Sequence, residues 1–423
     1  MLMQRKVSTV SVIGLGYIGL PTAAMFASRK VKVIGVDINQ HAVDTINRGE
    51  IHIVEPDLDM IVHAAVTEGY LRASTKPEPA DAFLIAVPTP FKGDHEPDLS
   101  YVRAAAESIA SVLKKGDIVI LESTSPVGTT EQMLLWLVEA RPDLSFPVVG
   151  AISDDIDIHI AYCPERVLPG HVIRELVEND RIIGGLSARC AERAAQIYRV
   201  FVKGELLFTN ARTAEMAKLT ENAFRDVNIA FANELSLISD KLDINVWELI
   251  KLANHHPRVN ILQPGCGVGG HCIAVDPWFI VDKTPNEARL IKTARVVNDD
   301  KPEWVIGKLR HAISELTNQG RRETDICIAI LGLAFKPNID DLRESPALQI
   351  AKMALHESKA QFFIVEPNIE KLPDALARAT HIEVELAMKA ADIVLVLVAH
   401  KEFLELSKLT NSHQQIVNIA GIS

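Results

Sequence analysis

The alternation of short apolar runs with amphipathic segments is the feature that most limits how this chain of 423 residues can fold. Before about residue 205, β-branched apolar runs occur at 10–13, 31–36, 82–87 and 118–122. After residue 325 the alternation returns, with runs at 326–331, 361–365, 393–398 and 415–419. Alternating strands and helices favour parallel sheets with helices on both faces. The sequence therefore predicts an α/β protein with two Rossmann-like, doubly wound domains.

The middle of the chain has a helical periodicity instead. From Thr213 to Leu242 apolar side chains recur at steps of three and four, which is typical of one long amphipathic helix. These side chains are Met216, Leu219, Ala223, Val227, Phe231, Leu235 and Ile238. Segments 247–253 and 286–298 also have helical patterns, and the polar segment 317–324 indicates a boundary. We therefore expect a cofactor-binding domain at 1–209, a central helical domain with one long helix at 210–316, and a second Rossmann-like domain at 317–423.

Composition and charge limit the compartment and the partners. A formal net charge of −11 disfavours non-specific binding to nucleic acid. The longest apolar run, 393–399, is much too short to cross a bilayer, and the first residues have no signal-peptide pattern. Five cysteines without regular spacing are typical of a reducing compartment. We therefore expect a cytoplasmic protein without membrane insertion and without a nucleic-acid partner.

A glycine-rich loop connects the first predicted strand to the first predicted helix. In that context the first glycine permits a tight turn, the second lets a pyrophosphate approach the backbone, and the third lets the helix pack on the strand. A glycine turn without a ligand is the alternative. The next strand ends in Asp37, however, and a carboxylate there suits ribose hydroxyls and repels a 2′-phosphate. The sequence therefore predicts NAD, bound by Gly14, Gly16, Tyr17, Ile18, Gly19 and Asp37.

Two further strand ends carry hydroxyl side chains. Thr89 follows the run 82–87, and Thr124 and Thr130 follow the run 118–122. Ligands of open α/β sheets bind beyond the carboxyl ends of the strands. Threonine is also an ordinary turn residue, but beside the glycine loop these three are candidates to meet the nicotinamide half of the cofactor.

A cysteine follows a second glycine-rich loop. The run Gly265-Cys266-Gly267-Val268-Gly269-Gly270-His271-Cys272 contains four glycines, which let a substrate approach the backbone closely. A thiolate at Cys272 would be stabilised at the start of a helix. Three alternatives remain: a buried apolar cysteine, metal ligation by Cys266, His271 and Cys272, and Cys266 as the nucleophile. No second cluster with metal-ligand spacing is present in the sequence, so we predict no metal and favour Cys272 as a nucleophile.

Two polar groupings complete the candidates. Lys218, Asn222 and Arg225 share one face of the long predicted helix, next to its apolar stripe. A solvated helix face is the alternative, although an asparagine inside a helix often has another task. Glu165 and Arg166 are adjacent after the apolar run 156–161, so a carboxylate and an arginine are expected near a strand end. A simple salt bridge in a loop is the alternative interpretation.

With these residues the chain resembles the nucleotide-sugar 6-dehydrogenases, the family of UDP-glucose dehydrogenase. The resemblance implies a four-electron oxidation of a sugar C6 alcohol to a uronate with two NAD. It also implies a UDP-binding carboxyl-terminal domain and a homodimer formed through the central helix. The motifs that carry it are 14–19, 123–129, Pro164-Glu165, 214–219 with Asn222, 265–276, and 332–337 with Asp340 and 343–346.

The resemblance also implies residue roles. Cys272 is the nucleophile, and Lys218 and Asn222 flank the reacting oxygen. Glu165 serves thioester hydrolysis, while Asp276 and Thr124 support water and proton transfer. The expected substrate contacts are Arg166, Val167, Lys218, Asn222, Arg225, His256, Arg258, Gly269, Lys336, Pro337 and Arg343.

Departures from the glucose-specific members point to a branch of the family. Residues 166–170 stand where an aromatic residue and a second glutamate are usual, His271 replaces a serine, and Val275 replaces a lysine. These variants resemble the N-acetylhexosamine branch, which serves bacterial surface-polysaccharide synthesis. Cys266 replaces a proline usual there, and nothing in the sequence explains the change. The resemblance therefore implies UDP-N-acetyl-D-mannosamine as substrate, with UDP-N-acetylglucosamine and UDP-glucose as the alternatives.

Two more distant functions compete with this one. A hydroxyacid dehydrogenase would need one hydride transfer and no thiol, and would leave residues 325–423 without a role. A non-catalytic NAD-binding sensor would not need Cys272, Lys218 and Glu165 together.

Overall fold

The computed structural model describes residues 7–53, 55–93, 95–149, 156–168, 170–270 and 272–422. The chain divides into two compact units, Met1–Thr220 and Glu221–Ser423. Among the described residues, no helix is both long enough and apolar enough to span a membrane.

The first unit alternates strands and helices. Its strands are β1 (Thr9–Ile13), β2 (Lys32–Val36), β3 (Leu71–Ser74), β4 (Ala82–Ile85), β5 (Phe91–Lys92), β6 (Glu96–Pro97), β7 (Ile118–Leu121), β8 (His159–Tyr162), β9 (Arg181–Gly185) and β10 (Leu206–Asn210). Its helices are α1 (Gly19–Ser28), α2 (Gln40–Asn47), α3 (Leu58–Thr67), α4 (Ser100–Ala110), α5 (Thr129–Ala140), α6 (Val172–Glu178) and α7 (Ala188–Tyr198), and the long helix α8 (Ala211–Lys241) begins in it.

The strands described in this unit form one large sheet in the order β10-β9-β8-β7-β4-β1-β2-β3, beside the small antiparallel pair β5-β6. Neighbours in the large sheet are parallel, except that β8 and β9 are antiparallel. The central strands β4, β7 and β8 are buried along their whole length, which explains their continuous apolar sequences. The order reverses between β1 and β4, and a ligand of such a sheet binds at the carboxyl ends of those two strands.

The second unit contains the rest of α8 and another parallel sheet. Its strands are β11 (Cys327–Leu331), β12 (Gln361–Val365), β13 (Thr380–His381), β14 (Ile393–Val396) and β15 (Gln415–Asn418), in the order β13-β12-β11-β14-β15. Its further helices are α9 (Val246–Ala253), α10 (Asp276–Lys283), α11 (Arg289–Asn318), α12 (Pro346–Glu357) and α13 (Val384–Ala390). The predicted fold class, two Rossmann-like sheets with a helical segment between them, is confirmed.

The helix predicted at 286–298 is much longer in the structure. Helix α11 continues to Asn318 and contains Pro302, a residue that costs about 3 kcal/mol inside a helix. Val305 and Leu309 further along the helix are buried in the apolar core of the second unit, and that burial outweighs the proline. The polar segment 317–324 therefore starts in the last turn of α11, and only its remainder connects the helix to β11.

Candidate active site

The first glycine loop has the shape that the sequence predicts. Gly14 has a φ of +90° and donates its N–H to Val36 O at 2.8 Å, which extends the parallel pairing of β1 with β2 into the loop. A Cβ at Gly19 would lie 1.8 Å from Gly14 O, so helix α1 can pack on the loop only with glycine there. A Cβ at Gly16 would meet nothing within 4 Å, which leaves the backbone open to a ligand. The exposed Tyr17 side chain and the half-buried Ile18 precede the helix.

Asp37 lies beside this loop, at the end of β2. Its Oδ2 accepts the N–H of Leu15 at 2.9 Å, and its Oδ1 accepts the N–H of Asn39 at 2.9 Å. The carboxylate is half-buried, so it retains an accessible edge for ribose hydroxyls. An open glycine backbone, a helix amino terminus for phosphate and an accessible acid together fit NAD.

The threonine candidates have different surroundings. The half-buried Thr89 donates its hydroxyl to Thr124 O at 2.6 Å, which joins two strand ends. Thr130 is fully buried and donates its hydroxyl to Glu215 Oε1 at 2.6 Å. The other oxygen of Glu215 accepts Gly128 N at 2.6 Å. Glu215 thus ties α8 to the start of α5, and a direct contact of Thr130 with the cofactor stays a prediction.

Glu165 belongs to a buried charged cluster that the sequence did not reveal. The Arg181 guanidinium pairs with Glu165 and lies 3.3 Å from Glu122 Oε1. It also stacks on the Tyr198 ring, with its Cζ 4.0 Å from the ring centroid, and the Tyr198 hydroxyl donates to Glu122 Oε1 at 2.5 Å. The four side chains come from β9, α7 and the ends of β7 and β8, so no local pattern connects them.

The charges in this cluster do not balance. Burial raises the pKa of Glu122, against the opposing influence of the Arg181 charge and the Tyr198 hydroxyl. One guanidinium thus faces both carboxyl groups, and its shorter contact is with Glu165. Its neighbours Arg166 and Val167 are half-buried, and Arg166 Nη1 donates to Asp180 O at 3.2 Å.

The two cysteines of the second glycine loop differ in accessibility. Cys272 is exposed, whereas Cys266 is buried and its burial raises the pKa of the thiol to about 12. A thiol of that kind is a poor nucleophile, so the structure favours Cys272. Helix α10 begins at Asp276, and Cys272 lies in the preceding turn, where its carbonyl accepts Asp276 N at 2.9 Å. His271, part of the metal alternative, lies outside the described residues.

Two of the predicted catalytic residues are in direct contact. Asn222 on α8 donates its amide to Asp276 Oδ2 at 2.5 Å. Asp276 is almost fully buried at the amino terminus of α10, where the helix dipole favours a carboxylate. The turn that carries Cys272 is thus connected to α8 by this hydrogen bond. Lys218, one turn earlier on α8, is half-buried, and Arg225 is exposed.

The glycine loop packs against the segment predicted to hold the nucleotide. A Cβ at Gly269 would lie 2.3 Å from Glu344 O and 2.8 Å from the Pro346 ring. Gly270 N also donates to Arg343 O at 3.3 Å. The glycines are needed because the backbones of these segments touch, and the substrate contacts predicted at Gly269 and Arg343 are brought together.

A chain of buried amides fixes the beginning of the same loop. Gly265 N donates to Asn233 Oδ1 at 2.8 Å, and Asn233 Nδ2 donates to Asn298 Oδ1 at 2.8 Å. Asn298 in turn donates to Asp226 Oδ1 at 2.8 Å, and Asp226 pairs with Arg295 at 2.6 Å. These four side chains join α8 to α11. The sequence offered one weak signal, asparagine inside a long helix.

The remaining predicted substrate contacts lie on the surface of the second unit. His256 and Arg258 are exposed in the loop after α9, and Lys336 is half-buried beside the exposed Pro337. Arg343 is exposed and its guanidinium donates to Asp341 Oδ2 at 2.6 Å. Their contacts with a substrate stay predictions.

Sequence profiles of one family match the chain along most of its length. The NAD binding domain of the UDP-glucose/GDP-mannose dehydrogenase family matches residues 8–202. The central domain of that family matches residues 212–300, and its UDP binding domain matches 329–422.

Individual relatives cover nearly the whole chain. The UDP-N-acetyl-D-mannosamine dehydrogenase of Campylobacter jejuni is 66% identical over 401 residues, which are 94% of this chain and 96% of the relative. The NDP-N-acetyl-D-galactosaminuronic acid dehydrogenase of Ralstonia nicotianae is 61% identical over 414 residues, 98% of this chain and 96% of the relative. The solved UDP-D-ManNAc dehydrogenase of Pyrococcus horikoshii is 38% identical with a TM-score of 0.86, covering 98% of this chain and 96% of that one. These relatives carry more than one sugar name, so overall identity does not choose the sugar.

Proposed function

Because the chain belongs to the UDP-glucose/GDP-mannose dehydrogenase family, we propose that it oxidises C6 of UDP-N-acetyl-D-mannosamine to the acid, UDP-N-acetyl-D-mannosaminuronate. The protein is an NAD-dependent dehydrogenase. The observation that carries the proposal is the exposed thiol of Cys272, which follows a glycine loop packed against the expected nucleotide segment. A thiol there explains how one protein oxidises an alcohol twice without releasing the aldehyde.

The cofactor lies on the first glycine loop in this proposal. Gly16 leaves room for the pyrophosphate, the amino terminus of α1 faces it, and Asp37 accepts from the ribose hydroxyls. Bound NAD supplies the acceptor for the hydride that leaves C6 in each of the two oxidations.

Cys272 retains the carbon between the oxidations. Its sulfur adds to the aldehyde carbon, and the carbonyl oxygen takes up a proton, which gives a thiohemiacetal. Loss of a second hydride and a proton leaves a thioester. Water then adds to the thioester carbonyl, the carbon–sulfur bond breaks, and the acid and the free thiol are formed.

Charges on the protein stabilise the oxygen that becomes negative in these steps. Lys218 and the Asn222 amide flank that oxygen in the proposal, one turn apart on α8. The contact of Asn222 with Asp276 fixes the amide orientation, because the Nδ2 end faces the carboxylate. Accepting the alcohol proton, directly or through water, is the alternative role of Lys218, because an ammonium group cannot also act as a base.

Hydrolysis requires a base for the attacking water. Glu165 belongs to the buried charged cluster, and its ion pair with Arg181 holds it in place. Asp276 and Thr124 support the same proton transfer. A carboxylate held by buried partners loses little conformational freedom when it acts, which favours this assignment.

The acetamido sugar is supported by the residues around the candidate site. The sequence resembles the N-acetylhexosamine branch rather than the glucose enzymes at residues 166–168, at Val275 and at the exposed His256 and Arg258. UDP-N-acetyl-D-mannosamine is proposed because the similar proteins from Campylobacter jejuni and Pyrococcus horikoshii carry that name. UDP-N-acetylglucosamine and UDP-glucose are the alternatives, and the Ralstonia relative adds the galacto configuration.

The quaternary structure and cellular role are part of the same proposal. Phe224, Phe231 and Ile238 occur every seven residues on α8 and are 67%, 52% and 45% exposed, which suits a homodimer formed through this helix. We place the domain boundaries at residues 209 and 316. The product would serve bacterial surface-polysaccharide synthesis of the enterobacterial common antigen type in the cytoplasm.

A panel of UDP-sugars tests the function directly. Each sugar is incubated with the protein and NAD, NADH is followed by absorbance, and the acid is counted by mass spectrometry. We expect two NADH per acid, with the highest kcat/KM for UDP-N-acetyl-D-mannosamine. One NADH per sugar with free aldehyde in solution contradicts the mechanism, and a higher kcat/KM for another sugar corrects the specificity.

A further inference from the structure

A buried histidine–glutamate pair lies behind the loop that follows β11. His400 Nε2 is 3.0 Å from Glu366 Oε2, and both side chains are 0% exposed. The same Oε2 accepts Leu333 N at 2.7 Å and Ala334 N at 3.0 Å. The other oxygen, Oε1, accepts both the backbone N–H and the side-chain amide of Asn368 at 3.1 Å. Burial tends to raise the pKa of Glu366, but the hydrogen bonds from His400 and Leu333 hold that pKa at about 2.

The far nitrogen of the imidazole holds the other end of the loop. Asn338 N donates to His400 Nδ1 at 2.9 Å, and the Asn368 amide lies 3.0 Å from the same atom. A backbone N–H can only donate, so Nδ1 must carry a lone pair and the ring proton must be on Nε2, facing the carboxylate. The ring therefore uses one nitrogen as acceptor and the other as donor.

The two anchored ends enclose a short segment of the substrate side of this unit. Leu333 and Ala334 precede it, Asn338 ends it, and Phe335, Lys336 and Pro337 lie between. Asn338 has a φ of +61°, a left-handed conformation that few residues other than glycine adopt without support. Its side-chain oxygen also accepts Lys401 N at 2.9 Å, so the residue after His400 fixes the same turn.

The turn after β11 is built like the turn after β1 in the first unit, but the acidic residues beside the two turns, Glu366 and Asp37, differ in their surroundings. Gly14 N bonds to Val36 O there, and Gly332 N bonds to Val365 O here at 2.9 Å. Asp37 stays half-buried, whereas Glu366 is enclosed by His400 and Asn368. Glu366 is therefore used inside the protein, to hold backbone rather than a ligand.

We propose that His400 and Glu366 are positioning residues for the nucleotide of the substrate, because together they fix both ends of 333–338 and so orient Lys336. The inference rests on the proposed function in one respect, that Lys336 meets the nucleotide. The pair itself does not touch the substrate. Its loss therefore weakens substrate binding and leaves cofactor binding and the chemical steps nearly unchanged.

Substitutions of His400 separate this role from simple packing. His400→Leu keeps an apolar side chain in the core but leaves Asn338 N without an acceptor and Glu366 without a donor. His400→Gln offers an oxygen and an amide on one neutral side chain and should restore much of the function. His356→Leu, at an exposed histidine in the last turn of α12, is the matched control.

Steady-state kinetics with UDP-N-acetyl-D-mannosamine and calorimetry with UDP alone give the readouts. We expect His400→Leu to raise the KM for the sugar nucleotide and the Kd for UDP about tenfold or more. The KM for NAD and the kcat at saturation should change less than about twofold, and His400→Gln should lie between wild type and His400→Leu. Equal rises in both KM values, or unchanged UDP binding in a folded His400→Leu protein, would overturn the proposal.

Two further outcomes allow the role of His400 to be tested separately from the proposed dehydrogenase function. If His400→Leu does not fold, the comparison of His400→Gln and Glu366→Gln with wild type replaces it, and unchanged UDP affinity in both overturns the proposal. If wild type binds UDP but oxidises no UDP-sugar, the proposed function fails, while the UDP affinities of the variants still decide the role of His400.

Discussion

Replacing Asn233 with alanine tests whether the buried amides between α8 and α11 hold the start of the glycine loop. The Asn233 side chain is 0% exposed and makes two hydrogen bonds of 2.8 Å, from Gly265 N and to Asn298 Oδ1. An unpaired buried polar group costs about 1–3 kcal/mol, and the half-buried Gly265 recovers part of this loss from water. We therefore expect a loss of about 2–4 kcal/mol, a large part of the 5–15 kcal/mol that is usual for a folded protein.

Thermal unfolding followed by circular dichroism measures that loss. For a unit of this size it corresponds to a melting temperature roughly 5–15 °C lower. Asn228→Ala is the matched control on the same helix, since it removes only the amide bond to Phe224 O at a partly exposed position. Below the melting transition, iodoacetamide should alkylate Cys272 at a different rate in Asn233→Ala and at the wild-type rate in Asn228→Ala. The reasoning is refuted if both variants melt together and are alkylated alike.

Four other predictions concern the reaction and the fold. Cys272→Ala should abolish formation of the acid, as measured by mass spectrometry, and normal turnover would reject this residue as the nucleophile. Asp37→Asn should raise the Kd for NAD in a fluorescence titration, because the neutral amide accepts more weakly from ribose hydroxyls; an unchanged Kd contradicts the ribose contact. Lys218→Ala should lower kcat at least ~10²-fold if the lysine acts on the proton or the oxyanion, whereas a change in KM alone makes it a binding residue. Burial first, and then the charges of nearby arginines, lower the pKa of His159 to about 4. Stability should therefore fall as the pH drops from about 6.5 towards 4, where only the unfolded histidine binds a proton, and His159→Gln should flatten that part of the stability profile in urea titrations.

Much of the fold could be predicted because strands, helices and turns have local patterns of apolar residues and glycines in the sequence. The strand at 361–365 has the predicted bounds, and the long helix predicted from Thr213 to Leu242 runs from Ala211 to Lys241. The glycine loop at 14–19 has the predicted turn because Gly19 packs against Gly14, so this close contact is local in sequence. The predicted length of helix α11 was too short, because a proline ends most helical patterns. The buried contacts that outweigh the cost of Pro302 involve residues distant in sequence.

The candidate site was predictable only in part, for a related reason. Four glycines and two cysteines indicated the loop that carries Cys272, but nothing near Glu165 in sequence indicates that Arg181 pairs with it. The same holds for Asn233 and Gly265, which are 32 residues apart, and for Glu366 and His400, which are 34 apart. Such partners are joined by the folded backbone alone, so periodicity and motif spacing do not reveal them.

The enclosure of Glu366 bears on selectivity, because a protein with two similar sheets must bind NAD at one of them and the UDP-sugar at the other. NAD and a UDP-sugar both present a ribose attached to a diphosphate, and the turns after β1 and β11 are built alike, with Gly14 N bonded to Val36 O and Gly332 N bonded to Val365 O. An acid that is already saturated by an imidazole and an amide has no lone pair facing outward for a sugar ring. In the proposed arrangement, discrimination between the coenzyme and the sugar nucleotide begins behind the binding surface, in a core contact that neither ligand touches.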